Sequence, residues 1–195
     1  MCEPSMIDGI QLPDIVASRV RLRWLTSADV DDLFAVFGDP EVTRYWSCPA
    51  YENRDEAREL VDEIHRYFGE KCLFQWGIEL RDTGRIIGTC TLAEVSERNR
   101  RAELGFALGR SWWGQGYAVE AVTALLDYAF QTLDLHRVEA DADPRNHSSI
   151  RLLERLGFVR EGTLRERWLV GGEVQDSAFF GLLRREWEAR VRAGG

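Results

Sequence analysis

The stretch Arg110–Ala121, RSWWGQGYAVEA, sets Gly114 and Gly116 one residue apart between a strand-like run and an amphipathic helix. Helix N-termini leave backbone N–H groups unpaired and carry partial positive charge, so a glycine-rich turn there can hold phosphate at close range. A steric turn after Trp112 and Trp113 is the other reading these residues allow. Val119 stands where the third glycine of a dinucleotide fingerprint belongs, and no Gly-Lys-Ser/Thr follows, which disfavours both of those phosphate-binding classes. A second candidate lies just upstream. In Ala102–Leu108, alternation points Leu104, Phe106 and Leu108 to one face and Glu103, Gly105 and Ala107 to the other. The second face is a carboxylate beside small residues that leave room for a ligand; a solvated strand glutamate is the bland alternative. Cys90 has no neighbouring cue for a base. His65, His136 and His147 lack metal-ligand spacing, so no metal centre is expected.

The elements that must position these residues can be read along the chain. Val20–Leu25 alternates as a first strand, and Thr26-Ser-Ala-Asp starts a helix over Ala28–Phe37 that Gly38-Asp-Pro stops. Asn53 and Glu56 have capping-box spacing for a helix reaching Phe68. Strands follow at Phe74–Leu80 and Ile86–Leu92 around the turn Arg81–Arg85, and then at Ala102–Leu108. Val119, Val122, Leu126, Ala129 and Leu133 predict one helix over Tyr117–Leu133. Arg137–Ala142 is a short strand. Ser148–Leu156 is a helix closed by Gly157 and Phe158 in the Schellman pattern. Thr163–Val170 and Glu173–Leu183 are strands around Gly171-Gly172. Consecutive strands followed by strand–helix–strand–helix imply an α/β (α+β) domain: a mixed sheet, antiparallel in its first part, with helices on both faces.

Composition bounds the setting. The chain of 195 residues is sized for a single domain over 1–195, with a core of about 20–187 and residues 1–19 as an N-terminal extension. Cys2, Cys48, Cys72 and Cys90 are scattered, which reads as packing residues in a reducing compartment. The N-terminus lacks the pattern of a signal peptide and no segment is long and apolar enough to span a bilayer, so a cytoplasmic protein is expected. A net charge of −8 disfavours a nucleic-acid partner and would steer cationic partners toward the protein.

Placed in order, four segments resemble the GNAT superfamily of N-acetyltransferases, and within it the ribosomal-protein alanine N-acetyltransferase branch. They are Ala102–Gly109, Trp113–Ala118 with Glu120-Ala121, Asn146–Phe158, and Gly172–Asp176 with Leu182–Trp187. The resemblance implies a splayed strand pair holding acetyl-CoA as co-substrate. It implies that backbone amides of Gly114, Gln115, Gly116, Tyr117 and Ala118 bind the pyrophosphate, while Phe106, Ala107, Leu108 and Gly109 track the pantetheine arm. The family's loop opens on Gln or Arg; here Ser111 holds that position and Arg110 falls one residue early. By the same resemblance Glu103 is a general base, the Ala107 N–H polarises the thioester carbonyl, and Asn146 contacts pantetheine. Ser149 protonates the departing sulfur, although Ser148 or Ser149 is equally suited to capping the helix. No tyrosine acid lies in that segment. Arg145, Arg151 and Arg155 could reach the coenzyme's phosphates, while Arg151 and Arg155, at i, i+4, could equally form a solvated face beside Glu154. Tyr45, Trp46 and Glu103 fall on the acceptor side, with Tyr45-Trp46 beside Ser47-Cys48-Pro49, whereas Trp76 reads as core. The expected activity is direct acetyl transfer in a ternary complex to a primary amine, a protein N-terminal α-amine being favoured over a polyamine, amino acid or antibiotic. A coenzyme A-binding module without turnover is the rival from another class, a nicotinamide oxidoreductase a distant third. No membrane partner is expected, and the protein is a monomer or homodimer, with Gly181–Arg192 as core, dimer surface or both.

Overall fold

Strand pairing follows chain order for the first five strands, in a computed structural model that describes residues 7, 9–46, 48–170 and 172–194. The readings made for Cys2, Ser47 and Gly171 fall outside the described residues. Strands β1 (Ile15–Val16), β2 (Val20–Arg23), β3 (Leu73–Leu80), β4 (Ile86–Ser96) and β5 (Arg101–Leu108) form antiparallel pairs. Next to β5 comes β6 (Arg137–Ala142), in parallel. It is followed by β8 (Glu173–Leu183) and, at the outer edge, β7 (Val159–Val170), giving the order β1-β2-β3-β4-β5-β6-β8-β7.

Helices cover both faces, as the alternation of the strands requires. On one side α1 (Val30–Phe37), α2 (Pro40–Thr43) and α3 (Arg54–Gly69) enclose a core with Leu25, Ile86 and Ala107. On the other, α4 (Tyr117–Asp127) and α5 (His147–Leu156) bury Val122, Leu125, Leu126 and Leu153 against Trp76, Ile78, Leu92 and Leu104. The α6 helix (Arg184–Gly194) adds Trp187, which is buried in that second core and donates from Nε1 to Asp127 Oδ1 at 2.8 Å. The end of the chain is therefore partly core.

The caps explain why the helices begin where they do. Asn53 Oδ1 accepts the Asp55 and Glu56 N–H groups at 2.9 and 3.3 Å, and the Glu56 carboxylate reaches back to the Glu52 N–H at 3.3 Å. Asn146 Oδ1 accepts the Ser149 N–H at 3.1 Å, so the cap of α5 is Asn146 rather than either serine. Gly157 at φ +95 ends that helix, and the bonds Gly157 N–H to Glu154 O and Phe158 N–H to Leu153 O complete the Schellman motif.

Several boundaries differ from expectation. The first helix opens as a 3-10 turn over Ser27–Asp29, because the Asp29 carboxylate folds back onto the Thr26 N–H at 2.8 Å. The long helix is α-helical only to Asp127 and widens into a π turn over Tyr128–Thr132, closed by Leu133 N–H to Tyr128 O. Strand β7 begins at Val159, four residues early, as a largely exposed edge strand whose polarity hid it from a burial pattern. Two short elements, β1 and α2, were not read from the sequence. No helix of the described residues is long and apolar enough to cross a membrane.

Candidate active site

The parallel pairing of β5 with β6 lasts only three residues, Arg101 with Arg137, Ala102 with Val138 and Glu103 with Glu139. Beyond Glu103 the two strands part, β6 staying paired to β8 on its other edge and β5 to β4 on its own. A cleft of about 340 Å³ opens there. Its floor is β5 at Glu103–Phe106 with Gln75, Thr91 and Ala93 beside it; Ala140–Asp143, Asn146 and Ser149 form one wall. Tyr45-Trp46 and the β7–β8 hairpin, through Trp168 and Asp176, close the rest.

Of the residues proposed from sequence, Glu103, Phe106, Asn146, Ser149, Tyr45 and Trp46 meet in this cleft. Burial pushes the Glu103 carboxyl up to about 6, the charge of Asp141 adds to the rise, and Arg167 opposes it. Arg167 Nη2 lies 3.9 Å from Glu103 Oε2. The Ser149 hydroxyl has no hydrogen-bond partner among the described residues, because Asn146 has taken over the cap. Tyr45 lies against two guanidinium groups, with Arg44 5.4 Å and Arg145 6.0 Å from its ring centroid. Trp46 packs edge-on against Phe37 at 5.1 Å, which fixes that wall to the α1 core.

The backbone of β5 corrects one assignment. Gly109 N–H donates to Ile87 O on β4 at 2.8 Å, and Leu108 O turns away from β4 to accept Trp113 Nε1 at 2.6 Å. Alternation in an antiparallel ladder then aims the Ala107 N–H at its partner Thr89. The Ala107 amide is therefore committed to the sheet, and the N–H groups of Phe106 and Leu108 face the splayed side. Cys90 is fully buried and its thiol is pushed up by burial, and Trp76 is core, donating from Nε1 to Pro13 O at 2.9 Å.

The glycine loop forms the second part of the site. Gly114 and Gly116 have φ of +73 and +85, in the left-handed region that favours glycine. A Cβ at Gly114 would meet nothing within 4 Å, so its surface is open. Gly116 caps α4 without a side-chain bond, and the first bond of the helix is Glu120 N–H to Gly116 O. The N–H groups of residues 114–119 are left without an acceptor among the described residues. Side chains hold the loop: Gln115 Nε2 donates to Ser111 O at 2.8 Å and Arg19 Nη1 to Gln115 O at 3.0 Å. Glu120 accepts Arg19 N–H and Nε–H at 2.5 and 2.7 Å, tying the first turn of α4 to the start of β2. A nest of unpaired donors at a helix N-terminus suits a pyrophosphate. Arg110 and Arg151 are exposed, and Arg151 does not line the cleft. Arg145 is paired with Asp143 at 2.6 Å.

The acetyltransferase (GNAT) domain family model matches residues 19–159. The chain belongs to the GNAT acetyltransferases. The uncharacterized N-acetyltransferase p20 of Bacillus licheniformis is 38% identical over 173 residues, covering 89% of this chain and 97% of that one. The ribosomal protein uS5-alanine N-acetyltransferase of Escherichia coli is 32% identical over 129 residues, 66% of this chain and 65% of the relative. Among solved structures, the spermidine N-acetyltransferase of Vibrio cholerae in complex with CoA and spermine superposes with a TM-score of 0.76. It is 26% identical, with 87% of this chain and 98% of that chain covered. This GNAT protein is an acetyl-CoA-dependent N-acetyltransferase. Sequence reasoning missed Asp141, Asp143, Asp176 and Arg167. The alternation Glu139-Ala-Asp-Ala-Asp143 carries a signal for the first two, since a strand that presents acids on one face beside a splay turns them into a cleft.

Proposed function

We propose that the protein acetylates the N-terminal α-amine of a protein or peptide by direct transfer from acetyl-CoA. The observation that carries the reading is the charge of the cleft. Glu103, Asp141, Asp143 and Asp176 line it, and they outnumber the two arginines at its edge, Arg145 paired with Asp143 at 2.6 Å and Arg167 at 3.6 Å from Asp141 and 3.9 Å from Glu103. Such a site attracts an ammonium ion. Acetylation then requires removal of a proton, and Glu103, with its carboxyl near pH 6, is placed to accept it directly or through a water. An α-amine titrates near pH 8, about two units above that carboxyl, whereas an alkyl amine near 10.4 would cost roughly 3 kcal/mol more to deprotonate. That difference favours a terminal α-amine over a polyamine.

The remaining roles follow the same chain of residues. Acetyl-CoA supplies the thioester; the amides of Gly114, Gln115, Gly116, Tyr117 and Ala118 hold its pyrophosphate. Gly109 leads from that loop to the cleft edge of β5, where Phe106 and Leu108 offer N–H groups toward the splay, one of which polarises the carbonyl. Asn146 positions the pantetheine arm with its free Nδ2, and the Ser149 hydroxyl gives a proton to the departing sulfur. Tyr45, Trp46 and Glu103 receive the acceptor.

A polyamine acceptor is the second reading, favoured by four carboxylates in one cleft and by the spermine complex of the Vibrio cholerae relative. The deciding experiment offers acetyl-CoA with a pool of unblocked peptides and a panel of amines, and identifies products by mass spectrometry. Acetylation confined to peptide α-amines is the expected result; acetylation of spermidine with untouched peptides overturns the reading.

A further inference from the structure

The β7–β8 hairpin carries an irregularity at the mouth of the cleft. Leu164 faces Ser177 and Trp168 faces Gln175, so four steps along β7 answer two along β8. The surplus is absorbed around Glu166, whose φ is +55 and whose N–H donates to Asp176 Oδ1 at 2.9 Å. This bulge delivers Arg167 to the space between two carboxylates. Its Nη2 lies 3.9 Å from Glu103 Oε2 and its Nε 3.6 Å from Asp141 Oδ2. Both separations exceed a hydrogen bond. Asp141 Oδ2 is meanwhile satisfied by Trp168 Nε1 at 2.9 Å and Ser177 Oγ at 2.7 Å. The guanidinium is thus held by charge rather than by directed bonds. It is one-third exposed, at 34%, and stands 5.2 Å from the Trp168 ring centroid.

We infer that Arg167 is a positioning residue that holds the place of the acceptor's ammonium between Glu103 and Asp141 until the acceptor displaces it. The inference rests on the reading of this cleft as the acceptor site. Two part-buried carboxylates side by side without a counter-charge are costly, and a tethered cation relieves that cost. An incoming ammonium brings the same charge to the same place, so the guanidinium can leave toward solvent or the Trp168 ring without leaving the carboxylates bare. A tightly bonded arginine would block this exchange; one held at 3.6–3.9 Å does not. The groups acting on Glu103 are Glu94 of β4, Glu139 and Asp141 of β6, and Arg167 of β7, and Arg167 is the cation among them.

The test reads Glu103 and the cleft without turnover. In full-length protein labelled with carboxyl-13C glutamate, the Glu103 resonance is assigned by its loss in Glu103→Gln and titrated by NMR in wild type, Arg167→Met and Arg167→Lys. The probe n-butylammonium chloride is titrated into each, with sodium chloride as the ionic-strength control. Removing a unit charge about 4 Å away is expected to raise the Glu103 midpoint by about one pH unit in Arg167→Met and to tighten n-butylammonium binding about 3- to 10-fold. Arg167→Lys keeps the midpoint within about 0.3 of wild type, as a charge requirement demands. Should Arg167→Met not fold by circular dichroism, Arg167→Gln takes its place. A folded neutral variant with the wild-type midpoint and the wild-type n-butylammonium affinity overturns the inference, as does a lysine variant indistinguishable from the neutral one. Failure to acetylate any peptide or amine would sink the proposed function instead, and it is read in a separate assay.

Discussion

Replacing Glu103 by glutamine should move activity and stability in opposite directions. Its carboxyl is pushed from an ordinary value of 4.5 to about 6, burial first and the charge of Asp141 second. A rise of that size means that the ionised form is disfavoured in the fold by about 2 kcal/mol. The sign follows from proton counting. Between pH 4.5 and 6 the folded state binds more protons at this site than the unfolded state, so stability is fully present below 4.5 and falls as pH rises through 6. Glu103→Gln, neutral at every pH, should therefore be up to about 2 kcal/mol more stable than wild type at pH 8 and nearly equal to it at pH 4.5. Catalysis should respond the other way. For wild type, kcat/KM with a peptide bearing an N-terminal alanine should fall tenfold per unit below about pH 6, and the glutamine variant should lose that limb together with about 10²- to 10⁴-fold in kcat. The assays are urea unfolding at the two pH values and thiol release from acetyl-CoA across pH 5–9. A glutamine variant that keeps the limb near 6 with kcat within about threefold of wild type would refute Glu103 as the base. One that is less stable at pH 8 would refute the burial argument itself.

Other residues separate structural from chemical roles. Ser149→Ala should leave stability within about 0.5 kcal/mol of wild type while lowering kcat, because its hydroxyl caps nothing; Asn146→Ala should lose about 1 kcal/mol in denaturant unfolding as the α5 cap disappears. Gly116→Ala forces a side chain into φ +85, with its Cβ 3.3 Å from Arg19 Nη2, and should weaken acetyl-CoA binding about tenfold by calorimetry, at a stability cost of about 1–2 kcal/mol. Burial pushes Asp29 up, but bonds from Arg23 and Thr26 prevail and hold its carboxyl below its ordinary 3.8. That contribution is present above 3.8 and lost as pH falls through the lower folded value, so Asp29→Asn should be about 2 kcal/mol less stable at pH 7 and converge on wild type in acid.

Much of the frame was legible because it depends on local signals. Asn53, Gly157 and the apolar positions of α4 mark their helices through short-range capping and periodicity. The alternation around Glu103 placed Gly105 beside it on the open face, where a Cβ would meet only Thr91 at ordinary distance. What could not be read depends on partners distant in the chain. Whether Ala107 or its neighbours offer a free N–H is decided by the register with β4, set by pairs such as Thr89 with Ala107. Arg167 enters the cleft through a bulge on an exposed edge strand, where composition and periodicity carry no trace of it. The capping role passed from the serines to Asn146 for a similar reason: all three are competent caps, and the chain's entry from Pro144-Arg145 selects among them.

The division of labour within β5 follows from strand geometry. A strand sends side chains up and down and its N–H and C=O groups sideways, so three directions are available to one short segment. In β5 the downward direction carries Leu104 and Leu108 into the core under α4. The upward direction carries Glu103 and Gly105 to the cleft, and the sideways direction, freed once β6 departs after Glu103, offers Phe106 and Leu108 amides to the splay. In the proposed function the strand serves the acceptor and the thioester together only because it loses its neighbour partway along. If Glu139 and Glu103 were not the last pair, those amides would be bonded to β6 and the proposed base would have nothing beside it to polarise the carbonyl. Asp141 of β6 belongs to the same event: past the point of parting it lines the cleft while its backbone stays paired with Phe179 of β8, and its side-chain bonds to Trp168 and Ser177 bring in the hairpin that supplies Arg167.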